Sequence, residues 1–216
     1  SNLGATPASI TANSLNFSNG TLQLTGSNNS VSLNSNRGVT INSGTDGVFN
    51  ISSTNTLTIP GVITGAGTLY KQGLGTLSLT GTNTYTGNTF ITIGGGIFQI
   101  GSAGSLNSGN YAGTITLNGS GTGGSFKYSS SADQILSGLI KDGGSYTGTS
   151  LTKDTSSSST LTLSGTNTYN GNTAINAGTI AITNGSALGG SSSGQGTTVA
   201  SGATLGISGG ITAAEP

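Results

Sequence analysis

The stretch "TLSLTGTNTYTGNTFI" occupies residues 76–91, and the chain repeats it as "TLTLSGTNTYNGNTAI" at residues 160–175. In both copies alternating Leu residues precede a polar string of Gly, Thr, Asn and one Tyr, and an aliphatic residue follows the string. Apolar residues at every second position are typical of a β-strand that buries one face. The stretch therefore predicts a strand, a connection and a second strand, used twice in one chain.

The repetition extends well beyond this stretch and defines units of roughly 80 residues. The further matches are 49–63 with 126–140, 69–71 with 151–153, 97–106 with 179–188, and 204–208 with 125–129. We therefore expect an N-terminal extension at 1–13 and a single repetitive domain at 14–216. Its repeat blocks cover about 39–114 and 115–197, and an incomplete third covers 198–216.

Short apolar pairs with period two occur along the whole chain, and Gly, Asn and Ser, which favour turns, separate them. Typical pairs are Leu57/Ile59, Leu77/Leu79, Phe98/Ile100, Phe126/Tyr128 and Leu161/Leu163. No apolar stripe has the 3.6-residue period of a helix, and Thr, Ser, Asn and Gly have low helix propensity. The sequence therefore predicts an all-β chain of short strands joined by tight corners.

Only 31% of the residues are hydrophobic and the net charge is zero. A compact sandwich needs more apolar material, whereas a solenoid buries a narrow core that continues from coil to coil. Parallel stacking also satisfies the backbone groups of each coil. Three five-residue strands with short turns take roughly 20 residues, so we expect about ten coils and about four coils in each repeat block.

Residues 61–106 resemble the autotransporter-associated β-strand repeat, also called the passenger-associated transport repeat. The positions that carry the resemblance are Gly65, Gly67, Leu69, Lys71, Gly73, Gly75, Thr76, Leu77, Leu79, Gly81, Asn83, Tyr85 and Gly87 in the first copy, and Leu151, Lys153, Leu161, Leu163, Gly165, Asn167, Tyr169 and Gly171 in the second. The second copy departs at 154–160, which lacks the glycines of the first. The resemblance implies a right-handed parallel β-helix in the secreted passenger of a bacterial surface protein, without catalytic residues.

The composition argues against most enzymatic and nucleic-acid-binding functions. The chain has neither His nor Cys, so an ordinary zinc site and an imidazole base are not expected. Its ten charged residues form no basic stripe for nucleic acid and no amphipathic segment for a membrane. We expect no catalytic residue, no metal and no cofactor, and no membrane contact by this segment.

The polar string itself has a structural interpretation. A phosphate-binding loop would need Lys at the position of Asn88. We interpret both strings as corners of the solenoid, with each Tyr ring lying over its corner and its hydroxyl in water. The corner residues are Gly81, Asn83, Tyr85, Gly87 and Asn88, and Gly165, Asn167, Tyr169, Gly171 and Asn172.

The segment 127–160 is the least regular and holds six of the charged residues. It carries an insertion of five residues relative to the first copy, and insertions in solenoids form outward loops. We therefore expect "KDGGSYTGTS" (141–150) to be largely exposed and its surroundings to be a contact loop with solvated charges. The candidate contact residues are Lys141, Asp142, Tyr146, Lys153 and Asp154.

The sequence favours a non-enzymatic stalk or adhesive scaffold, located outside the cell or on the bacterial surface. The expected partners are a further copy of the chain, stacked head to tail, or more of the same polypeptide, since neither end shows an obvious cap. A surface glycan is a further candidate partner. Two other functions remain open: glycan adhesion through Asn, Thr and Tyr, although no aromatic cluster is evident, and ice binding through Thr-x-Thr pairs. Those pairs are Thr56/Thr58, Thr82/Thr84, Thr114/Thr116, Thr160/Thr162 and Thr166/Thr168.

Overall fold

The computed structural model describes residues 3–92, 94, 96–118, 124–144, 148–190 and 196–212. Within these ranges the chain forms 22 strands and one 3₁₀ turn at Asn107–Gly109, without any α-helix. The strands pair in parallel with strands of the preceding and following coils. The predicted all-β parallel solenoid is therefore confirmed. No helix of the described part of the chain is long and apolar enough to cross a membrane.

The first face of the solenoid is a sheet of six strands. They are β2 (Gly20–Leu24), β5 (Asp46–Ile51), β8 (Thr68–Gln72), β10 (Thr89–Ile91), β13 (Ile115–Leu117) and β16 (Ile140–Asp142). Inward positions on this face are occupied in turn by Leu22, Phe49, Lys71, Ile91 and Leu117. Residues between them point outward, because side chains alternate along a strand.

The second face is a sheet of eight strands and contains most of the core. They are β3 (Ser30–Ser32), β6 (Thr56–Ile59), β9 (Thr76–Leu79), β11 (Gly96–Ser102), β14 (Gly124–Ser130), β17 (Ser150–Lys153), β19 (Asn172–Ile175) and β21 (Thr197–Val199).

The third face consists of two smaller sheets in succession. The first contains β1 (Thr11–Phe17), β4 (Arg37–Ile41) and β7 (Ile63–Thr64), and the second contains β12 (Asn110–Tyr111), β15 (Gln134–Leu136), β18 (Thr160–Leu163), β20 (Thr179–Ile182) and β22 (Thr204–Ile207). Residues 82–86, which form no regular strand, lie between the two sheets and bond to β7: the Thr84 N–H donates to the Ile63 carbonyl at 2.9 Å.

The core is built from columns of inward side chains that stack from coil to coil. One column on the second face contains Leu57, Leu77, Phe98, Phe126 and Leu151, all of them buried. The rings of Phe98 and Phe126 stack with their centroids 5.9 Å apart. Every inward residue therefore packs against the residues above and below it, which is how a small apolar fraction suffices.

The predicted number of coils is too high. The eight strands of the second face correspond to about seven turns rather than about ten. The register shows the reason, since one turn takes 20 residues from Thr56 to Thr76 but 28 from Ile97 to Ser125. Several corners are longer than the short turns assumed from the sequence. At about 4.8 Å per coil the stack rises about 34 Å, not about 50 Å.

The two repeat blocks are rotated relative to each other by one face. The first copy runs from β9 on the second face to β10 on the first, whereas the second copy runs from β18 on the third face to β19 on the second. One block is therefore three full turns plus one face, and not four coils. Equivalent residues of the two copies consequently lie on different sides of the solenoid.

The N-terminal segment is bonded to the second coil through backbone carbonyls. The Arg37 guanidinium donates to the Ala5 carbonyl at 3.1 Å, and the Asn36 side-chain amide donates to the Pro7 carbonyl at 3.0 Å. Arg37 is only 7% exposed. The segment that we expected to be free to reach a neighbouring molecule is therefore held against its own chain from Gly4 onward.

Candidate functional site

Two buried asparagines organise the polar strings. The Asn83 side chain accepts from the Ile63 N–H at 2.9 Å and donates to the Gly81 and Ser105 carbonyls at 2.9 and 3.0 Å. Asn167 accepts from the Ile140 N–H at 2.8 Å and donates to the Ala187 carbonyl at 2.6 Å. Each amide bridges the coil below to the coil above, where regular strand pairing is missing.

The two tyrosines of the strings are core residues. Tyr85 and Tyr169 are fully buried, and their hydroxyls lie 2.8 and 2.6 Å from the hydroxyls of Thr89 and Thr173. The expectation that these hydroxyls lie in water is wrong. Burial raises the pKa of Tyr85 well above its ordinary value. The hydroxyl bonds a Thr on its own strand and leaves nothing for a ligand.

The remaining string residues allow the coils to approach one another closely. A Cβ at Gly87 or Gly171 would overlap a carbonyl oxygen of the neighbouring coil, that of Gly67 or Thr149. Similar overlaps would arise at Gly81 and Gly165, with carbonyl oxygens of Pro60 and Gly138. Asn88 and Asn172 are exposed, and each accepts one backbone N–H, from Thr114 at 2.9 Å and Gly196 at 3.2 Å.

Two lysines occupy inward positions in the core columns. Lys71 stacks between Phe49 and Ile91, and its ammonium donates to the Gly73 and Gln72 carbonyls at 2.6 and 3.1 Å. Lys153 stacks between Tyr128 and Ile175 and donates to the Ser156 carbonyl at 3.0 Å. The interpretation of Lys153 as a solvated contact residue is therefore wrong, because it is fully buried.

Burial lowers the pKa of Lys71 to about 8. Burial also lowers the pKa of Lys153, although the nearby Asp154 and Asp133 oppose this shift. Both ammonium groups bind backbone carbonyls of the turn that follows their own strand. Their role in the structure is to satisfy those carbonyls where the coil changes direction.

The other contact-loop candidates do not form one site. Asp142 lies at the end of β16 on the first face and accepts from the backbone N–H and the side-chain amide of Asn170 at 2.8 and 3.0 Å. Lys141 is half-buried beside it, and Tyr146 lies outside the described residues. Asp154 follows β17 on the second face, where it pairs with Lys127 at 2.8 Å. Within 141–150, Gly143, Gly144 and Gly148 are exposed whereas Thr149 is buried.

A shallow cleft of about 430 Å³ lies next to the Lys127–Asp154 pair. Its lining consists of hydroxyl side chains only: Ser102, Ser129, Ser131, Thr155, Ser156, Ser157 and Ser158. Ser129 and Thr155 already donate to the Asp154 carboxylate. In the described part of the chain, no group of three or more carboxylate, His or Cys side chains could hold a metal ion. The cleft thus offers hydroxyl groups without a base to activate them.

The Thr-x-Thr pairs do not stack into one array. Thr56/Thr58 lie on the second face, Thr114/Thr116 on or beside the first and Thr160/Thr162 on the third. The other two pairs belong to the polar strings. Ice binding needs such pairs in successive coils of one flat face, so this geometry does not support it.

The first face carries an exposed aromatic feature that sequence reasoning missed. Val48, Tyr70 and Phe90 occupy one outward column in successive coils. The rings of Tyr70 and Phe90 stack with centroids 5.0 Å apart and planes 13° from parallel. We call these three residues the aromatic strip. The statement that no aromatic cluster is evident is therefore wrong, and only the 20-residue register between β8 and β10 could have revealed it.

Comparison with known proteins places these features in a family. The sequence pattern of the Passenger-associated-transport-repeat family matches residues 69–100 and 156–182. The chain carries passenger-associated transport repeats. The predicted resemblance is confirmed at this point.

The repeats also occur in the setting of an adhesin. Over 189 residues, or 88% of this chain, the sequence is 35% identical to the adhesin BmaC autotransporter of Brucella suis biovar 1 (strain 1330). That match covers 4% of the adhesin, so the chain spans a small part of the relative's length. No solved structure gives a significant match.

In both matched ranges of the passenger-associated transport repeat, the polar string leads from one face to the next. The first range begins at Leu69 in β8 and ends at Ile100 in β11, and the second ends at Ile182 in β20. The string residues are either buried or bonded to a neighbouring coil, so the repeat itself presents no reactive group. Any binding site must use side chains on the outward positions.

Replacing the buried amide of the first repeat should destabilise the solenoid strongly. Asn83→Ala leaves the Ile63 N–H and two carbonyls without their partner, so we expect a loss of about 3 kcal/mol in the free energy of unfolding. Asn88→Ala, in the same string, removes one exposed bond and should cost about 1 kcal/mol or less. Urea unfolding followed by circular dichroism measures both, and equal losses would contradict the bridging role.

The buried lysine of the first repeat should make stability depend on pH. The ordinary pKa of 10.5 applies to Lys71 in the unfolded chain, and burial lowers it to about 8 in the folded chain. Between these values the unfolded state binds more protons, so the free energy of unfolding rises with pH. We expect a gain of about 2 kcal/mol from Lys71 between pH 7 and 9.5.

The matched variant is Lys71→Met, which keeps the length of the side chain but cannot titrate. Its stability should rise less between pH 7 and 9.5, with a residual slope in the same direction from Lys153. Measurements should stay below pH 10, because ionisation of the buried tyrosines has the opposite effect at higher pH. An unchanged slope in Lys71→Met would show that Lys71 is not the titrating group.

Proposed function

We propose that this chain is a non-enzymatic segment of a secreted bacterial adhesin, in which the solenoid serves as a stalk that displays its outward faces. The observation that carries the proposal is the unbroken parallel stacking of eight strands on the second face. Such a stack forms an extended body in which each coil supports the next. The passenger-associated transport repeats and the similarity to an adhesin support the same role.

The interior supports a mechanical role rather than a chemical one. The side chains that could act as acids, bases or nucleophiles in the repeat are tied to the fold: Lys71 and Lys153 bind turn carbonyls, and Tyr85 and Tyr169 bond threonines. A catalytic group would need a free partner in a cleft. The hydroxyl cleft contains none among its lining residues.

Surface labelling tests the location directly. An antibody raised against the purified 216-residue chain should label intact bacteria that express the natural gene, because a secreted stalk lies outside the outer membrane. An antibody against a cytoplasmic protein is the control and should label only permeabilised cells. Labelling by the first antibody only after permeabilisation would contradict the proposal.

We propose further that the last described coil is covered by another coil, either from the same polypeptide or from a second copy of the chain. Val199 and Ile207 continue inward columns of the core, yet they are 47% and 55% exposed. The preceding members of those columns, Ile175 and Ile182, are fully buried. A further coil stacked on this one would give Val199 and Ile207 the environment of the other inward residues.

Analytical ultracentrifugation distinguishes the two sources of that coil. If copies stack end to end, the purified chain should associate as its concentration rises, and Val199→Asp should prevent this by placing a charge in the contact. Ile135→Asp is the matched control, since Ile135 is 42% exposed on the third face. A monomer at all concentrations would contradict stacking between copies and leave a longer passenger as the source.

A further inference from the structure

We propose that the aromatic strip on the first face binds a glycan, whose sugar chain runs along the solenoid axis across β5, β8 and β10. The inference goes beyond the stalk function, because it concerns binding by the isolated chain whatever its place in a longer passenger. It rests on three features of the outer surface of this face: an apolar column, two polar columns beside it, and amide groups that the fold leaves unused.

The apolar column is unusual for this exterior. The outward column of the first face contains Thr21, Val48, Tyr70, Phe90 and Thr116 in successive coils. Its three central members are only partly buried, so apolar surface reaches the solvent over two coil steps, or about 10 Å. Large apolar side chains that lie together on a polar surface indicate a contact site.

Polar columns flank the aromatic strip on both sides. Asn50 and Gln72 lie two residues further along β5 and β8, at about 7 Å from the strip, and Thr92 continues their column after β10. On the other side lie Asp46 and Thr68, with Asn88 just before β10. The Asp46 carboxylate is close enough to contribute, after burial, to the raised pKa of Tyr70. The aromatic strip is thus a narrow apolar line between two rows of hydrogen-bonding groups.

The amides beside the strip differ from the other amides of the fold. Asn83, Asn167 and Gln134 are buried, and their side chains bond the backbone of other coils. The side chains of Asn50 and Gln72 make no hydrogen bond to any residue that the structure describes. Each therefore keeps one carbonyl acceptor and two N–H donors available for a ligand.

This arrangement selects sugars over other ligands. A sugar ring offers C–H groups that pack on apolar surface and hydroxyls that both donate and accept at its rim, which matches an apolar strip between amide and hydroxyl groups. Nucleic acid would need several cationic side chains, and the aromatic strip has only Lys141 near one end. A protein partner would need a wider apolar centre than one column of side chains.

A printed array of neutral and N-acetylated oligosaccharides, two to six sugars long, is the first test. The fluorescently labelled 216-residue chain should bind a subset of the array, and the best ligand is then titrated against variants by calorimetry. Tyr70→Ala and Phe90→Ala should each weaken that affinity about tenfold, since each removes half of the ring stack. Gln72→Ala, which leaves the packing untouched, should weaken it about threefold to tenfold.

Ile135→Ala is the matched control, because it removes an exposed aliphatic side chain from the third face. It should leave affinity unchanged, and circular dichroism should show the same β spectrum for every variant. Absence of binding to the whole array would overturn the proposal. Equal affinity of the wild type and the Tyr70→Ala/Phe90→Ala double variant would overturn it as well, by showing that the sugars bind elsewhere.

Discussion

In-register parallel pairing between successive coils is the constraint on which this structure depends. Each strand bonds to the strand one turn below and one turn above, so a residue that points inward lies between two inward residues of the neighbouring coils. The core can therefore be narrow, and 31% hydrophobic residues suffice for a chain of this length. The same constraint explains why an apolar column such as Leu77, Phe98 and Phe126 runs through several coils.

The passenger-associated transport repeat supplies the parts of a coil that regular pairing cannot. Where the polar string replaces a strand, Asn83 and Asn167 bond the coils on either side. Where the chain turns after a strand, the ammonium groups of Lys71 and Lys153 bind the turn carbonyls. The residues that make the repeat recognisable are therefore internal, and a ligand meets only outward residues. Those outward residues can differ between coils without disturbing the stack.

Alternation and repetition in the sequence predict the fold class, because a period of two and a parallel repeat leave few other arrangements. The coil length is not predictable in the same way, since it depends on corners that range from a few residues to the long connection between β9 and β10. Alternation also does not tell whether Lys153 or Tyr85 faces the core, because both residue types are common at surfaces. The aromatic strip escapes detection because Tyr70 and Phe90 meet only through a coil of 20 residues.

The register over the full height of the solenoid is the central claim, and a distance between spin labels tests it most directly. The native chain has no Cys, so Ser32→Cys and Thr198→Cys introduce two unique and exposed label sites. These residues belong to one outward column of the second face, seven coil steps apart. Double electron–electron resonance should give a narrow distribution centred near about 34 Å, although 166 residues separate the sites. A broad distribution, or a mean near the roughly 43 Å of a ten-coil stack, would contradict the account.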